Sequence, residues 1–175
     1  MVETTDTKEI IVELEYSSST TVTIVNPGGS TFNAESEVNY ASNLGISAEL
    51  FTVNFDKGGA SNNTAIRTEG GWRMYQHASG GNIMTVKMAE GYVIESIILE
   101  ISTNKTGDDI TFKVNQSSLT ETGIDGNKFS NDGLGTNWRI LDPVTVNSNS
   151  FSLQNVNATN VQLWVWSIKV TYKQA

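Results

Sequence analysis

The chain contains no cysteine and a single histidine, and both shortages restrict its chemistry. Without cysteine there are no disulfide bonds and no thiolate metal ligands, so we expect packing alone to stabilise the fold. The one histidine, His77, is not accompanied by a Gly-x-Ser-x-Gly turn, a His-Glu-x-x-His helix or a phosphate-binding loop. The sequence therefore argues against histidine-dependent hydrolases, and we predict that the protein is not an enzyme.

Paired carboxylates are the remaining catalytic alternative, because two of them suffice for glycoside hydrolysis. The candidate glutamates all fall at alternating positions of predicted strands, where a solvated charge is the more common explanation. They are Glu13, Glu15, Glu95 and Glu100.

Long apolar runs and an excess of positive charge are also missing. No segment is long and apolar enough to span a membrane, and residues 1–7 lack the basic and apolar regions of a signal peptide. We expect no membrane insertion, and a chain that either works without secretion or is the mature part of a longer protein. The formal net charge of -8 repels phosphate backbones, so nucleic acid is not an expected partner.

The chain does have side chains that alternate between the two faces of predicted strands, most clearly in its last predicted strand, Val161 to Tyr172. Leu163 and Val165 point to one face, and a larger apolar set points to the other. A strand that is apolar on both faces belongs inside a sheet, so we predict that the aromatic rings of the larger set lie in the core. That set is Trp164, Trp166, Ile168, Val170 and Tyr172.

Weaker alternation predicts further strands between Gly- and Asn-rich turns. Residues 9–25 are expected to form a hairpin, Asn104 to Gly107 a second hairpin turn, and residues 120–137 a long surface loop. Spacing of three and four residues predicts one short helix near residues 34–44. The strands are predicted at residues 9–16, 20–25, 50–55, 71–76, 83–88, 93–102, 109–114, 138–140, 144–146 and 150–153.

These elements predict an all-β fold, an antiparallel β-sandwich of jelly-roll type with that one short helix. The length of 175 residues is close to the common size of one domain. We expect residues 1–175 to form a single domain, with an N-terminal extension over residues 1–30 and a jelly-roll core over residues 31–175.

Several stretches between residues 40 and 172 carry a resemblance to a known group of proteins. They are Tyr40 to Gly45, Phe51 to Gly58, Ala65 to Arg67, Trp72 to Tyr75, Gly91 to Ile97 and Trp166 to Tyr172. Together they resemble β-sandwich modules similar to galactose-binding-like jelly rolls, found in surface proteins of gut bacteria and in their phages. The resemblance implies a non-catalytic module, often appended to larger proteins, and assigns no functional residues.

Two tryptophans next to loops are the candidates for ligand binding. Trp72 and Trp138 each follow a Gly- or Asn-rich segment and precede an arginine, and an exposed ring beside a guanidinium suits a sugar-like or planar polar ligand. The alternative is a strand-end tryptophan that closes the core. The predicted ligand-binding residues are Trp72, Arg73, Tyr75, Trp138 and Arg139.

No cofactor is expected, although two oxygen-rich runs have the hard ligands that calcium prefers. One is Thr106 to Asp109, and the other contains Asp125, Asn127 and Asp132. Neither run has the spacing of an EF-hand, and Asp or Asn next to Gly is an ordinary turn former. A structural calcium ion in the long loop is therefore the alternative to a site without metal.

The predicted first strand offers a surface for assembly. It carries glutamates on one face and apolar side chains on the other, so it suits pairing with a neighbouring subunit as well as an ordinary edge position. The proposed edge residues are Ile10, Val12, Leu14 and Tyr16.

Two functions follow from these patterns. The first is a structural β-sandwich subunit of a larger assembly, in a virion or at a cell surface, with other protein subunits or copies of itself as partners. The second is a carbohydrate-binding module that holds a glycan with its loop-flanking tryptophans. The acidic charge, the start at Met1 without a signal peptide and the lack of catalytic groups favour the first.

Overall fold

The structure, a computed structural model, describes residues 18–105, 107–122 and 138–175. The described chain is almost entirely β-strand, with one short 3-10 helix at Ser42–Leu44. In chain order the strands are β1 (Thr20–Val25), β2 (Phe32–Asn33), β3 (Phe51–Asp56), β4 (Ala65–Ile66), β5 (Trp72–Met74), β6 (Ile83–Met88), β7 (Tyr92–Thr103), β8 (Ile110–Val114), β9 (Ser117–Glu121), β10 (Arg139–Ile140), β11 (Val144–Ser148), β12 (Ser150–Asn155) and β13 (Leu163–Gln174).

The described strands form two antiparallel sheets. The eight-stranded sheet runs β10-β7-β13-β5-β4-β2, with β1 added to β13 and β11 added to β7. The five-stranded sheet runs β3-β6-β12-β8-β9. The predicted all-β antiparallel sandwich is therefore confirmed, and the predicted last strand is central to the larger sheet, as its two apolar faces required.

The two sheets pack face to face through alternate residues of each strand. In β3, Phe51, Val53 and Phe55 point inward and are almost fully buried. Phe51 meets Tyr172 of the other sheet edge-to-face at a centroid distance of 5.6 Å, and Phe55 meets Trp72 in the same way at 6.4 Å. Each such ring contributes roughly 1.5–3 kcal/mol by leaving water, so these pairs hold the two sheets together.

The helix predicted near residues 34–44 is much shorter than expected. Only Ser42–Leu44 is helical, and Gly45 ends it in the left-handed conformation. The backbone N–H of Tyr40 donates to Val53 O at 2.8 Å, and the side chain of Asn39 bonds to β3 as well. The upstream residues therefore cover the edge of β3 instead of forming helical hydrogen bonds.

Two loop predictions need correction. β7 and β8 are not the two strands of a hairpin, as predicted from Asn104 to Gly107, because β7 belongs to the larger sheet and β8 to the smaller one, where it pairs with β9 and β12. The predicted long loop begins too early, because its first two residues, Thr120 and Glu121, still belong to strand β9, whose side chains are polar except for Leu119. An edge strand with one apolar residue gives no alternation for sequence reasoning to detect.

Helices long and apolar enough to cross a membrane are absent from the described part of the chain. The hairpin partner predicted for β1, residues 9–16, lies outside the described residues. The division at residue 30 and the single domain stay predictions.

Candidate functional site

A β-bulge in β13 decides which aromatic side chains reach the surface. Val165 pairs with Ile101 of β7, but the next pair is Ser167 with Glu100, so Trp166 is an extra residue on β13. An extra residue reverses the alternation of the strand. The inward residues of β13 are therefore Leu163, Val165, Ile168, Val170 and Tyr172, all within the core cluster.

Trp164 and Trp166 consequently lie on the outer face of the larger sheet. This corrects the prediction that they share the core face with Ile168, since only Tyr172 of the three aromatic residues does so. Trp164 is opposite Arg73 of β5. The Arg73 guanidinium lies 5.1 Å from the centre of the Trp164 ring, an attractive cation–π geometry. Trp164 is 4% exposed, so this ring is covered although it faces outward.

Trp72 is in the core, which makes its prediction as a ligand-binding residue wrong. It pairs with Val165, an inward residue of β13, and it has no exposed surface. Gly71 brings the two strands close together, because it has a φ of +63° and a Cβ there would lie 2.6 Å from Val165 O. A ring in this position packs against Phe55 and is out of reach of a ligand.

Tyr75 and Arg139 do not form a shared ligand-binding surface with Trp72. The backbone N–H of Tyr75 donates to Oδ1 of the buried Asn82 at 2.7 Å, and the backbone N–H of Asn82 donates to Tyr75 O at 2.9 Å. Arg139 pairs with Ile101, and its guanidinium donates to the Glu121 carboxylate of β9 and to the carbonyl oxygen of Thr122, which follows β9. Arg139 therefore bridges the two sheets at their edge.

Trp138, one of the predicted ligand-binding residues, meets another aromatic ring on the outer face. Its ring lies 5.2 Å from that of Trp166, with the planes inclined by 48°, and both residues are half-buried. The edge of the Trp166 ring rests on Gly70, where a Cβ would come within 2.6 Å of the ring.

Next to this ring pair, three strands contribute one row of side chains. Glu100 of β7 is opposite both Ile140 of β10 and Ser167 of β13. The Ser167 hydroxyl donates to Glu100 Oε2 at 2.8 Å, and Ile140 is 70% exposed. We call Trp138, Trp166, Ile140, Glu100 and Ser167 the outer tryptophan patch.

A polar groove of about 540 Å³ lies on the outer face of the smaller sheet. Its floor is formed by outward residues of β3 and β6, and one wall is the segment that precedes Tyr40. Sequence reasoning missed this groove, because its residues look like the ordinary solvated face of two strands. The residues that matter below are Ser36, Glu37, Thr52, Asn54, Asp56 and Thr85.

Of the two runs predicted as calcium ligands, the structure describes only Gly107, Asp108 and Asp109. Asp108 and Asp109 are exposed and line a shallow depression with Asn157. The Asn157 amide is already engaged with Thr111 and Asn155. Over residues 18–105, 107–122 and 138–175, no three His, Cys, Asp or Glu side chains come together as metal ligands. The other predicted ligands, Asp125, Asn127 and Asp132, lie outside the described residues.

Two further predictions concern His77 and the assembly edge. His77 is exposed in a turn, where its Nδ1 lies 2.8 Å from the Ser79 hydroxyl. The proposed edge residues Ile10, Val12, Leu14 and Tyr16 lie outside the described residues.

No protein family model matches the sequence, and no curated protein matches it either. Similar solved structures include an exo-β-1,3-galactanase from Phanerochaete chrysosporium, crystallised with galactose, at 14% identity and a TM-score of 0.38. That match covers 86% of this chain and 29% of the galactanase, so the chain spans less than a third of that enzyme.

Two shorter proteins give matches of the same quality. One is a family 35 carbohydrate-binding module from Clostridium thermocellum, at 13% identity and a TM-score of 0.37, covering 86% of this chain and 97% of the module. The other is the family 32 module of C. perfringens NanJ in complex with galactose, at 10% identity and a TM-score of 0.34, covering 86% and 99%. At these TM-scores the likeness carries no argument of its own.

Proposed function

We propose that this protein is a non-catalytic carbohydrate-binding protein and that the outer tryptophan patch holds the sugar. The observation that carries the proposal is the pair of half-buried rings, Trp138 and Trp166, inclined to each other on an outer sheet face. A protein that needed these rings only for stability would gain more by burying them in the core.

The aromatic part of the patch suits the apolar face of a pyranose ring. The C–H groups of a sugar gain dispersion energy against an indole, at about 0.1–0.2 kcal/mol per atom pair, and many pairs form at once. Two inclined rings offer such a surface from two directions. Ile140 extends the apolar area next to them.

The polar part of the patch suits sugar hydroxyl groups. Glu100 uses one carboxylate oxygen to accept the Ser167 hydroxyl, and a carboxylate has about four acceptor positions in all. A sugar hydroxyl donating to Glu100 would form a charge-assisted hydrogen bond, which is stronger than a neutral one. The negative charge favours neutral sugars over acidic ones.

Several other features support binding without catalysis. The patch contains one carboxylate, whereas glycoside hydrolysis by the usual route needs two. The only histidine of the chain, His77, is in an exposed turn next to Ser79 and is not a patch residue. A glycan ligand also suits work at a cell surface or outside the cell.

The structural-subunit function stays a prediction. The strand expected to contact a neighbouring subunit lies outside the described residues, and no contact within the described part of the chain favours it. A link to phages or virions rests on the sequence resemblance alone.

The test is a glycan array followed by calorimetry on the best glycan. We expect Trp138→Ala and Trp166→Ala each to weaken binding at least tenfold, or about 1.4 kcal/mol, with the fold retained by circular dichroism. The control is Tyr92→Ala, which truncates another half-buried ring about 26 Å away along β7 and should bind like the wild type.

Two results would contradict the proposal. One is an array on which no glycan binds the wild-type protein. The other is a glycan that binds both folded tryptophan variants as tightly as the wild type.

A further inference from the structure

We propose that the polar groove on the smaller sheet is a second binding site, for a neutral oligosaccharide. It lies on the opposite side of the sandwich from the outer tryptophan patch, because each occupies the outer face of a different sheet. This site does not require a ligand at the patch, so each proposal stands or fails alone.

The floor of the groove is built from outward side chains in register. Asn54 of β3 is directly opposite Thr85 of β6, and Thr52 is the next outward residue of β3. These side chains alternate with the buried phenylalanines and valine of β3. The floor is therefore positioned by the core below it.

The wall of the groove is hydrogen-bonded to the floor. Asn39 Oδ1 accepts the backbone N–H groups of Ala41 and Val53 at 3.0 and 2.9 Å. Asn54 Nδ2 donates to Val38 O at 2.8 Å. These bonds hold residues 36–39 beside β3 before any ligand arrives, and a preformed site loses less conformational entropy on binding.

Glu37 is the residue of the wall that ordinary stability does not explain. It has a φ of +67°, in the left-handed region where a glutamate is strained and a glycine is not. Glu37 lines the groove, and within the described residues its side chain has no hydrogen bond or ion pair. Strained residues of this kind occur preferentially where a ligand is held.

The chemistry of the lining selects the class of ligand. The carboxylates of Glu37 and Asp56 accept hydrogen bonds, and Asp56 keeps one oxygen in addition to the one bonded to Gly58 N. The hydroxyls of Ser36, Thr52 and Thr85 both donate and accept. A lining rich in acceptors requires a ligand rich in donors, which describes a chain of sugar hydroxyls.

The charge and the volume of the groove restrict the class of ligand further. Two carboxylates in a chain of net charge -8 disfavour sialic and uronic acids. The volume of about 540 Å³ is within the range of small-molecule sites, about 300–1,000 Å³. Phe55 contributes no open ring, because it is 2% exposed and points to the core. Without an open aromatic ring, the groove should bind a sugar more weakly than the patch does.

The experiment is a two-dimensional NMR titration of the whole chain with neutral tetrasaccharides of glucose, galactose or mannose. The side-chain amide signals of Asn39 and Asn54 report on the groove, and the indole N–H signals of Trp138 and Trp166 report on the patch. We expect at least one tetrasaccharide to shift the two asparagine signals in a saturable way. Tetragalacturonate, its acidic counterpart, should not shift them.

Substitutions test whether the shifts arise in the groove. Thr85→Trp fills the floor and should weaken the binding that moves the asparagine signals at least tenfold. Thr23→Trp makes the same change at an exposed outward threonine of the larger sheet and should have no effect. Glu37→Gly should raise the Tm by about 2 °C by removing the strain, yet weaken groove binding at least threefold.

The outcomes separate the two sites. Asparagine signals that none of the neutral tetrasaccharides moves would overturn the groove proposal, as would a Thr85→Trp variant that binds like Thr23→Trp. A Glu37→Gly variant with wild-type groove binding would also count against it. Asparagine shifts without indole shifts would support the groove and show that these tetrasaccharides are not held at the patch.

Discussion

Folding changes the acid–base behaviour of Glu95, an outward residue of β7. Its carboxylate accepts the Ser19 hydroxyl at 2.5 Å and pairs with Lys173 Nζ at 2.9 Å. The Ser19 bond first, and the Lys173 bond second, lower the pKa of Glu95 below its ordinary value of 4.5. These contacts fasten the start of β1 and the end of β13 to β7.

A pH series of unfolding experiments tests this contact. Because the pKa of Glu95 is lower in the folded than in the unfolded protein, its ionised form stabilises the fold fully above pH 4.5. That stability is lost as the pH falls through the folded-state pKa. We therefore expect Glu95→Gln to be less stable than the wild type at neutral pH and equal to it at low pH.

The control is Glu90→Gln, which changes an exposed glutamate without a hydrogen bond in the described part of the chain. Its difference from the wild type should not vary with pH across the same window. If both variants show the same pH dependence, the contacts of Glu95 do not account for the effect.

Trp166 and Glu37 are two residues whose roles in the proposed sites could not be predicted from the sequence. The sequence marks Trp166 as apolar, but its face depends on one extra residue in the pairing of β13 with β7. The sequence gives no indication that the backbone of Glu37 is left-handed, because glutamate does not normally adopt that conformation.

At the scale of elements, the turn between β4 and β5 supports the bulge of β13. Gly70 has a φ of +110°, and a Cβ there would lie 2.6 Å from the Trp166 ring. The turn can approach the ring this closely only with a glycine. The position of Trp166 in the outer tryptophan patch therefore depends on this turn.

Gly70→Ala should destabilise the protein by about 2–4 kcal/mol, from backbone strain and from crowding against the ring. Urea unfolding measures the loss, and the near-ultraviolet circular dichroism of tryptophan reports the displaced ring. Gly29→Ala is the matched control, since Gly29 has a φ of +88° but open space around its Cβ position. It should cost only about 1–2 kcal/mol and leave the tryptophan signal unchanged. Equal losses in both variants would mean that Trp166 does not rest on the turn.

Elements with strong alternation were predicted well, and elements held by side-chain hydrogen bonds were not. β3, β6 and β7 lie where the alternation of Phe, Val, Ile and Met places them, within one or two residues at each end. The expected helix failed because Asn39 and Tyr40 bond to a strand that comes later in the chain. Spacing along a segment does not report partners from elsewhere.

At the scale of the whole molecule, the proposed sites occupy the two outer faces of one sandwich. A protein arranged in this way can hold two parts of one polysaccharide or two separate chains. Binding at both sites would then raise the apparent affinity for a polymer above that for a short oligosaccharide.

Salt provides a test of the proposed ligand class. With 19 acidic and 11 basic residues, the protein should attract neutral glycans only through short-range contacts. We expect the affinity for a neutral glycan to change by less than about twofold between low and high salt, because only interactions between separated charges are screened. Calorimetry at several sodium chloride concentrations measures this. A steep loss of affinity with salt would indicate a charged ligand and contradict both proposals.

The sequence by itself determined the fold class, most strand positions and the absence of thiols, because alternation and composition act within each segment. Only the tertiary structure decided which aromatic rings face outward. One bulge placed Trp164 and Trp166 on the outer face of the sheet instead of the core face, while pairing with Val165 placed Trp72 in the core instead of at the surface. The groove likewise exists only because residues 36–39 are bonded to β3. Such features depend on pairing between distant segments, and no local pattern contains that information.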